Sequence, residues 1–390
     1  MSSKGFRRLY ILLCLVGLLT MVASSLVNPL LSIFSKSIGA SGLYIGLAVA
    51  GYWISRVFLE IPSGFILMRL GYYRLMVLGL LLIALGNLLC SYVSTPTQLI
   101  LARILSGIGP PFFFGVAMTF VINLSGAEHR GSAMGLFQGI EFLGSIAGSM
   151  MSGYVISTLG FRMSFQLSSL IVFLALLMLM PMSGMRKAGS GSSSAPPLSL
   201  SSMREVLSSG NLLIACSAIF SEFILTQGVL FTVFPIHANE GIGISLTEIG
   251  LLMGMRSIGH VVSVPIMGWA SDKIGRRPII LFGLAASALL TISLNAASSL
   301  LPLAVLMFAL GMTTGAIWIV SPVIAGESVP EPLRGVAIGT YRTSFDLGSV
   351  LGPIIMSSIM RDYGISTCFY ISSALLLANL APALKIKEHR

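Results

Sequence analysis

Apolar runs of twenty or more residues repeat along the chain, separated by short segments that hold most of the Lys, Arg, Asp and Glu. A helix crosses a hydrocarbon core of about 30 Å with about 20 apolar residues. The pattern predicts twelve crossings, over 9–35, 41–67, 75–93, 97–123, 131–157 and 162–183, then 211–238, 245–270, 278–298, 300–326, 333–360 and 366–384. It fails once, at 184–210, where Ser190-Gly-Ser-Ser-Ser-Ala-Pro-Pro197 has the composition of a flexible linker. The expected organisation is a six-helix bundle over 1–183, a cytoplasmic linker over 184–210 and a second six-helix bundle over 211–390.

The polar punctuation repeats. Gly64, Arg69 and Gly71 lie 204 residues before Gly268, Lys273 and Gly275, and the same shift carries Ser41, Ile45, Gly46 and Leu47 onto Ser245, Ile249, Gly250 and Leu251. It also carries Gly107 onto Gly311, Arg130-Gly131 onto Arg334-Gly335, and Gly144, Ser145 and Gly148 onto Gly348, Ser349 and Gly352. The matched residues are mainly glycines and loop arginines, so what repeats is backbone geometry and the charge at helix ends. A parallel tandem repeat of this size points to a transporter.

Composition agrees: 55% of residues are hydrophobic, 9% are charged and mean hydropathy is +0.95. Such a chain has too little polar material to cover a soluble surface. The net charge of +10 does not indicate nucleic acid, because the basic residues fall in short clusters between apolar runs. With the N-terminus inside, sixteen Lys and Arg lie in inner loops and tails and three, Lys36, Arg162 and Arg361, lie outside. Positive loops stay cytoplasmic, so both termini are expected inside a multi-pass plasma-membrane protein. Cys14, Cys90, Cys216 and Cys368 stand singly in four spans, which suits core filling and predicts no metal site.

Two six-helix halves, a central linker and the loop Gly268-Trp-Ala-Ser-Asp272-Lys273-Ile-Gly275-Arg276-Arg277 together resemble the major facilitator superfamily of secondary transporters, across the whole chain. The resemblance implies an all-α membrane fold of two pseudo-symmetric bundles with a substrate site between them. It also implies that this loop is a cytoplasmic latch. The earlier copy, with Gly64, Arg69 and Gly71, has Met68 where the family has Asp, so the latch is expected to be stronger in the second half. Arg103-x-x-x-Gly107-x-Gly109 is similar to a motif of proton-coupled members. Gly135-x8-Gly144-x3-Gly148 is similar to an antiporter motif, but Ser149 stands where Pro is expected and Pro353 completes the copy in the eleventh helix.

Nine ionisable residues lie more than five residues from either end of a predicted span: Arg56, Glu60, Arg103, Glu141, Glu222, Arg256, His260, Arg342 and Asp346. Such residues are costly in lipid and mark pathways or partners. Arg56 with Glu60, and Arg342 with Asp346, are four apart and can neutralise each other within one helix. Glu141, Glu222 and Arg256 have no partner in their own helix. Arg103 either faces the cavity or snorkels outward. Asn28, Gln138, Gln227, Tyr341, Phe112, Phe113, Phe114 and Trp318 are expected to add a mixed polar and aromatic lining.

No phosphate loop, metalloprotease signature or nucleophile elbow is present, so enzymatic chemistry is not expected. Neither a cofactor nor an oligomer is required. The expected activity is proton-coupled transport of a small organic solute by alternating access, with export of amphipathic compounds as the first choice. Uptake of an organic anion held by Arg56, Arg103 or Arg256, or of a sugar-type solute, is the competitor. A non-transporting sensor on the same fold is the alternative of another class.

Overall fold

A computed structural model describes residues 3–125, 130–180 and 205–386; the expected linker, 184–210, lies outside the described residues apart from its last positions. Eleven stretches among the described residues are long and apolar enough to cross a membrane. One of them, Gly131–Leu179, has 49 residues and at about 1.5 Å per residue would exceed two bilayer cores. It is divided by Gly160, whose φ of 78° and ψ of 165° turn the chain back, so the crossings number twelve.

The helices are α1 (Leu9–Ser37), α2 (43–70), α3 (72–90), α4 (Pro96–Asn123), α5 (131–159) and α6 (161–179). The second bundle has α7 (Gly210–Ile242), α8 (Leu246–Ile274), α9 (Arg276–Ala296), α10 (Leu300–Glu327), α11 (Arg334–Tyr363) and α12 (Ile365–Ala383). Turns repeat with the sequence: Gly39, Gly71 and Gly160 have positive φ, and so do Gly243, Gly275 and Gly364, each 204 residues later. Only glycine takes that conformation without strain, which is why these positions survived while the apolar filling changed. α4 and α8 start on capping boxes, Thr95 with Gln98 and Ser245 with Glu248.

Prolines loosen the cavity helices. α1 passes through a 3-10 turn at Asn28–Leu30, α4 through a π turn at Pro111–Gly115, and α7 is π-wound over Ile224–Val233 and His237–Ile242. Pro29, Pro110, Pro111 and Pro235 lack the N–H that an α-helix needs there.

Each bundle has its own core. Leu13, Leu75, Phe113, Phe137 and Val172 belong to one in the first half, and Leu225, Phe234, Leu284, Met307 and Phe369 to one in the second. Large apolar side chains are exposed along α3 (Leu81, Leu85), α6 (Leu170, Phe173), α9 (Phe282, Leu289) and α12 (Tyr370, Leu377), the helices without internal charges, as lipid-facing scaffolds require.

The bundles meet along two seams, α2 with α11 and α5 with α8. On the face away from the chain termini both seams are tight: a Cβ at Gly46 would lie 2.7 Å from Ile354 Cα, and one at Gly250 would lie 2.6 Å from Gly153 N. Towards the face that carries the termini, a Cβ at Gly64, Gly135, Gly139, Gly335 or Gly339 would meet no described atom within 4 Å. The halves are therefore closed at one face and splayed at the other.

Candidate functional site

At the depth where the α2–α11 seam begins to open, four of the nine ionisable residues form a ladder between the halves. Arg342 Nη2 lies 2.9 Å from Glu60 Oε1, and one turn deeper Arg56 Nη2 lies 3.5 Å from Asp346 Oδ1. Arg56 also reaches Glu60 of its own helix at 4.0 Å. The one-helix pairs suggested by spacing are thus secondary, because α2 and α11 each present their charges to the other bundle. Side-chain exposure falls inward, from 43% at Arg342 through 21% at Glu60 and 16% at Arg56 to 3% at Asp346, as expected for a cavity entered from the termini face.

The second seam carries different chemistry at the equivalent place. His260 occupies the position of Arg56 in the repeat and Phe142 that of Asp346, and their rings lie 5.6 Å apart. Where one seam has a cation on a carboxylate, the other has an imidazole on a phenyl ring.

Within the second bundle, Glu222 and Arg256 are 4.0 Å apart and joined through Thr226. Arg256 Nη2 donates to Thr226 Oγ1 at 2.9 Å, and Thr226 Oγ1 donates to Glu222 Oε1 at 2.7 Å. Glu222 Oε2, Arg256 Nε, Asp346 Oδ1 and the Tyr341 hydroxyl have no hydrogen-bond partner. A pair of charges 4 Å apart attract by about 4 kcal/mol at an effective dielectric of 20. Desolvation costs several kcal/mol per ion, so stability alone does not account for these groups.

The first bundle holds two ions apart. Arg103 is buried and does not snorkel: its Nη2 donates to Asn28 Oδ1 at 2.9 Å and its guanidinium lies 5.0 Å from the Tyr52 ring centre. Gly107, one turn on, lets α4 sit against the Tyr52 backbone. Glu141 is buried against α1 beside Gly17, with no ion-pair partner among the described residues and with Oε1 unbonded.

Of the expected lining, Trp318 packs on Phe345 and Asn28 holds Arg103, Gln227 and Tyr341 are buried, Phe112 and Phe113 are buried in the first core, and Gln138 is exposed. Trp53, Phe142, Phe223 and Phe345 were not singled out in the sequence. The available signal was adjacency: Phe142, Phe223 and Phe345 each neighbour a span carboxylate, and Trp53 is three residues from Arg56.

The loop at 268–277 sits at the termini face. Gly275 turns the chain with φ of 100°, and Arg276 bonds Asp272 Oδ1 at 2.6 Å and Glu327 Oε1 at 3.2 Å, tying α8, α9 and α10 together. Lys273 lies over Trp269, its Nζ 4.3 Å from the ring centre. In the first copy Met68 is exposed and cannot make the Asp272 contact.

Comparisons with known proteins agree with this architecture. The family model described as Major Facilitator Superfamily matches residues 13–229 and 223–390. The chain is 24% identical over 380 residues to the multidrug resistance protein MdtG of Klebsiella pneumoniae, covering 93% of this chain and 89% of that one. It is 25% identical over 390 residues to the multi-drug resistance efflux pump PmrA of Streptococcus pneumoniae, covering 95% of each. Among solved structures, a bacterial homologue of the human lysosomal transporter Spinster, inward-facing and occupied, superposes with a TM-score of 0.81 at 14% identity, covering 98% of this chain and 97% of that one. The nucleoside transporter NupG gives 0.79 at 16% identity, covering 97% and 100%. Fold, duplicated halves and family match together make this chain a member of the Major Facilitator Superfamily, a multi-pass membrane transporter and not an enzyme.

Proposed function

We propose that the protein exports small amphipathic organic compounds in exchange for protons, by rocking its two bundles about the central seams. The termini face, open in this conformation, is taken as cytoplasmic on the sixteen-to-three distribution of basic residues. The observation that carries proton coupling is Glu141, a buried carboxylate with no cation partner among the described residues. A proton is the counter-ion that can reach it in one conformation and leave it in the other. The names of the relatives, the multidrug resistance protein MdtG and the multi-drug resistance efflux pump PmrA, support export of drug-like compounds.

Uptake of an organic anion has weaker support. Arg56 and Arg256 already face carboxylates of this chain, and Arg103 is held by Asn28 and Tyr52. Everted vesicles with an imposed pH gradient test the reading: transport of an amphipathic dye collapses with the gradient. A rate unchanged without it removes proton coupling.

A further inference from the structure

The lipid-facing side of the first bundle carries a groove of about 320 Å³ between α3 and α6. Leu81, Leu85 and Leu88 line one wall and Leu170 and Phe173 the other, at the spacing that places side chains on one helical stripe. Leu88 is two residues from the end of α3, and Gln166 is five residues into α6. The groove therefore starts near the face away from the termini and runs inward along residues 81–88, about 10 Å at 1.5 Å per residue.

Two polar groups stand at its outer end. Gln166 lines the groove and has no hydrogen-bond partner among the described residues. An amide facing acyl chains without a partner is costly, because no water reaches it there. One turn earlier on the same stripe is Arg162, which is exposed and whose Nη2 donates to the Val93 carbonyl, just beyond the end of α3, at 3.4 Å. Side chains lean towards the N-terminus of their helix, here outward, which carries both groups towards headgroup level. The other two basic residues expected at this face have carboxylates, Lys36 with Glu240 and Arg361 with Asp362. Arg162 has none among the described residues.

The second bundle supplies a comparison within the same chain. Ser169 donates to the Ala84 carbonyl at 2.8 Å between α6 and α3, and Ser373 donates to the Ala288 carbonyl between α12 and α9, each residue 204 positions later. The two helix pairs thus pack in one register. At the positions of Arg162 and Gln166, however, stand Ser366 and Tyr370, and the Tyr370 hydroxyl accepts from Asn295 Nδ2 at 3.4 Å. That pair has neither the cation nor the open amide.

We propose that the α3–α6 groove binds one glycerophospholipid of the adjoining leaflet, with a net negative headgroup. One acyl chain lies along Leu81, Leu85 and Phe173, the Gln166 amide donates to an ester carbonyl, and the Arg162 guanidinium pairs with the phosphate. A zwitterionic headgroup brings its own cation to the phosphate and competes with Arg162. A diacylglycerol offers only the chain and the ester. The site lies on the outside of one bundle and does not depend on which solute the protein carries.

The test is photolabelling of the full-length protein in phosphatidylcholine nanodiscs that contain a small fraction of phosphatidylglycerol with a diazirine halfway along one acyl chain. Adducts on residues 81–88 and 166–173 are measured against those on 285–292 and 370–377, which lie at the same depth in the same leaflet. The first set should be labelled in excess by about fivefold or more, through the charged contact that the second set lacks. Arg162→Ala and Gln166→Leu should each cut that excess about threefold, whereas Arg162→Lys keeps most of it and Tyr370→Phe leaves it unchanged. Gel filtration first shows that each variant is folded. The matching phosphatidylcholine probe should give a smaller excess and the matching diacylglycerol probe about none.

Equal labelling of the two sets in the wild-type protein overturns the site, and so does an excess undiminished in folded Arg162→Ala. An excess as large with diacylglycerol as with phosphatidylglycerol also overturns it, because the groove would then hold a chain without reading the headgroup.

Discussion

Arg56 and Asp346 meet 3.5 Å apart across the α2–α11 seam, at the place where the repeat sets His260 on Phe142 across the α5–α8 seam. Both contacts lie where the tight half of a seam gives way to the open half. The rocking proposed above would pivot about these contacts, one made by charge and the other by ring packing.

The charged contact should be strongly coupled. Asp346→Asn leaves Arg56 facing no full charge at that position, and should destabilise the protein by about 3 kcal/mol. Combining Arg56→Met with Asp346→Leu should recover most of that, since an apolar pair replaces an ion pair at little cost. Thermal unfolding of the purified variants checks this, and equal losses in the single and double variants would show that the pair is not coupled.

The tight seam depends on glycine. A Cβ at Gly46 would collide with the Pro353 carbonyl oxygen and the Ser357 hydroxyl and lie 2.7 Å from Ile354 Cα, and of these only the hydroxyl can move aside. Gly46→Val should therefore hold the far face apart and shift the population towards the conformation open there. Spin labels across the α2–α11 seam should report longer distances near residues 46 and 354, and unchanged distances would contradict the account.

Much of this was legible in the sequence. Twelve crossings follow from hydropathy, and the three pairs of left-handed glycines carry the duplication because turn geometry tolerates no other residue easily. Cross-bundle pairing was not legible: Glu60 and Arg56 share a helical face, and nothing in their spacing shows that Arg342 would come within 2.9 Å of Glu60 from the other half. The π winding of α7 was also hidden, since an apolar run reads the same for either helix type. The ring contacts of Trp53, Phe142, Phe223, His260, Trp318 and Phe345 were not legible because these residues come from six helices, and rings are the commonest filler of apolar spans.

The proposed latch lies at the opposite end of α8 from its capped start, about four turns beyond Arg256, and joins three helix ends through Arg276. Asp272→Asn should slow turnover about two- to fivefold while leaving cargo affinity within about twofold, because Asp272 is exposed and its charged contact, about 1 kcal/mol or less, falls on one conformation and not on the binding groups. Transport rates beside equilibrium binding separate the two, and a matching fall in affinity would count against the latch.

At the face away from the termini, Lys36 and Glu240 pair between α1 and α7 while both remain exposed. Exposed pairs contribute little, about 0.5 kcal/mol or less once screened, so Lys36→Ala should barely change stability. A disulfide formed between Lys36→Cys and Glu240→Cys should instead arrest transport reversibly, because it fixes that face shut. Full activity in the oxidised protein would mean that the rim does not part.

The most direct test is proton movement itself. Liposomes containing the protein and a trapped pH dye are given an outward cargo gradient with no imposed pH difference, for the wild-type protein and for Glu141→Gln. Cargo movement by the wild-type protein should drive a matching proton flux in the opposite direction. Glu141→Gln should still exchange labelled for unlabelled cargo but move no protons. Proton flux that persists in the variant, or cargo movement by the wild-type protein with no proton flux at all, would contradict the account.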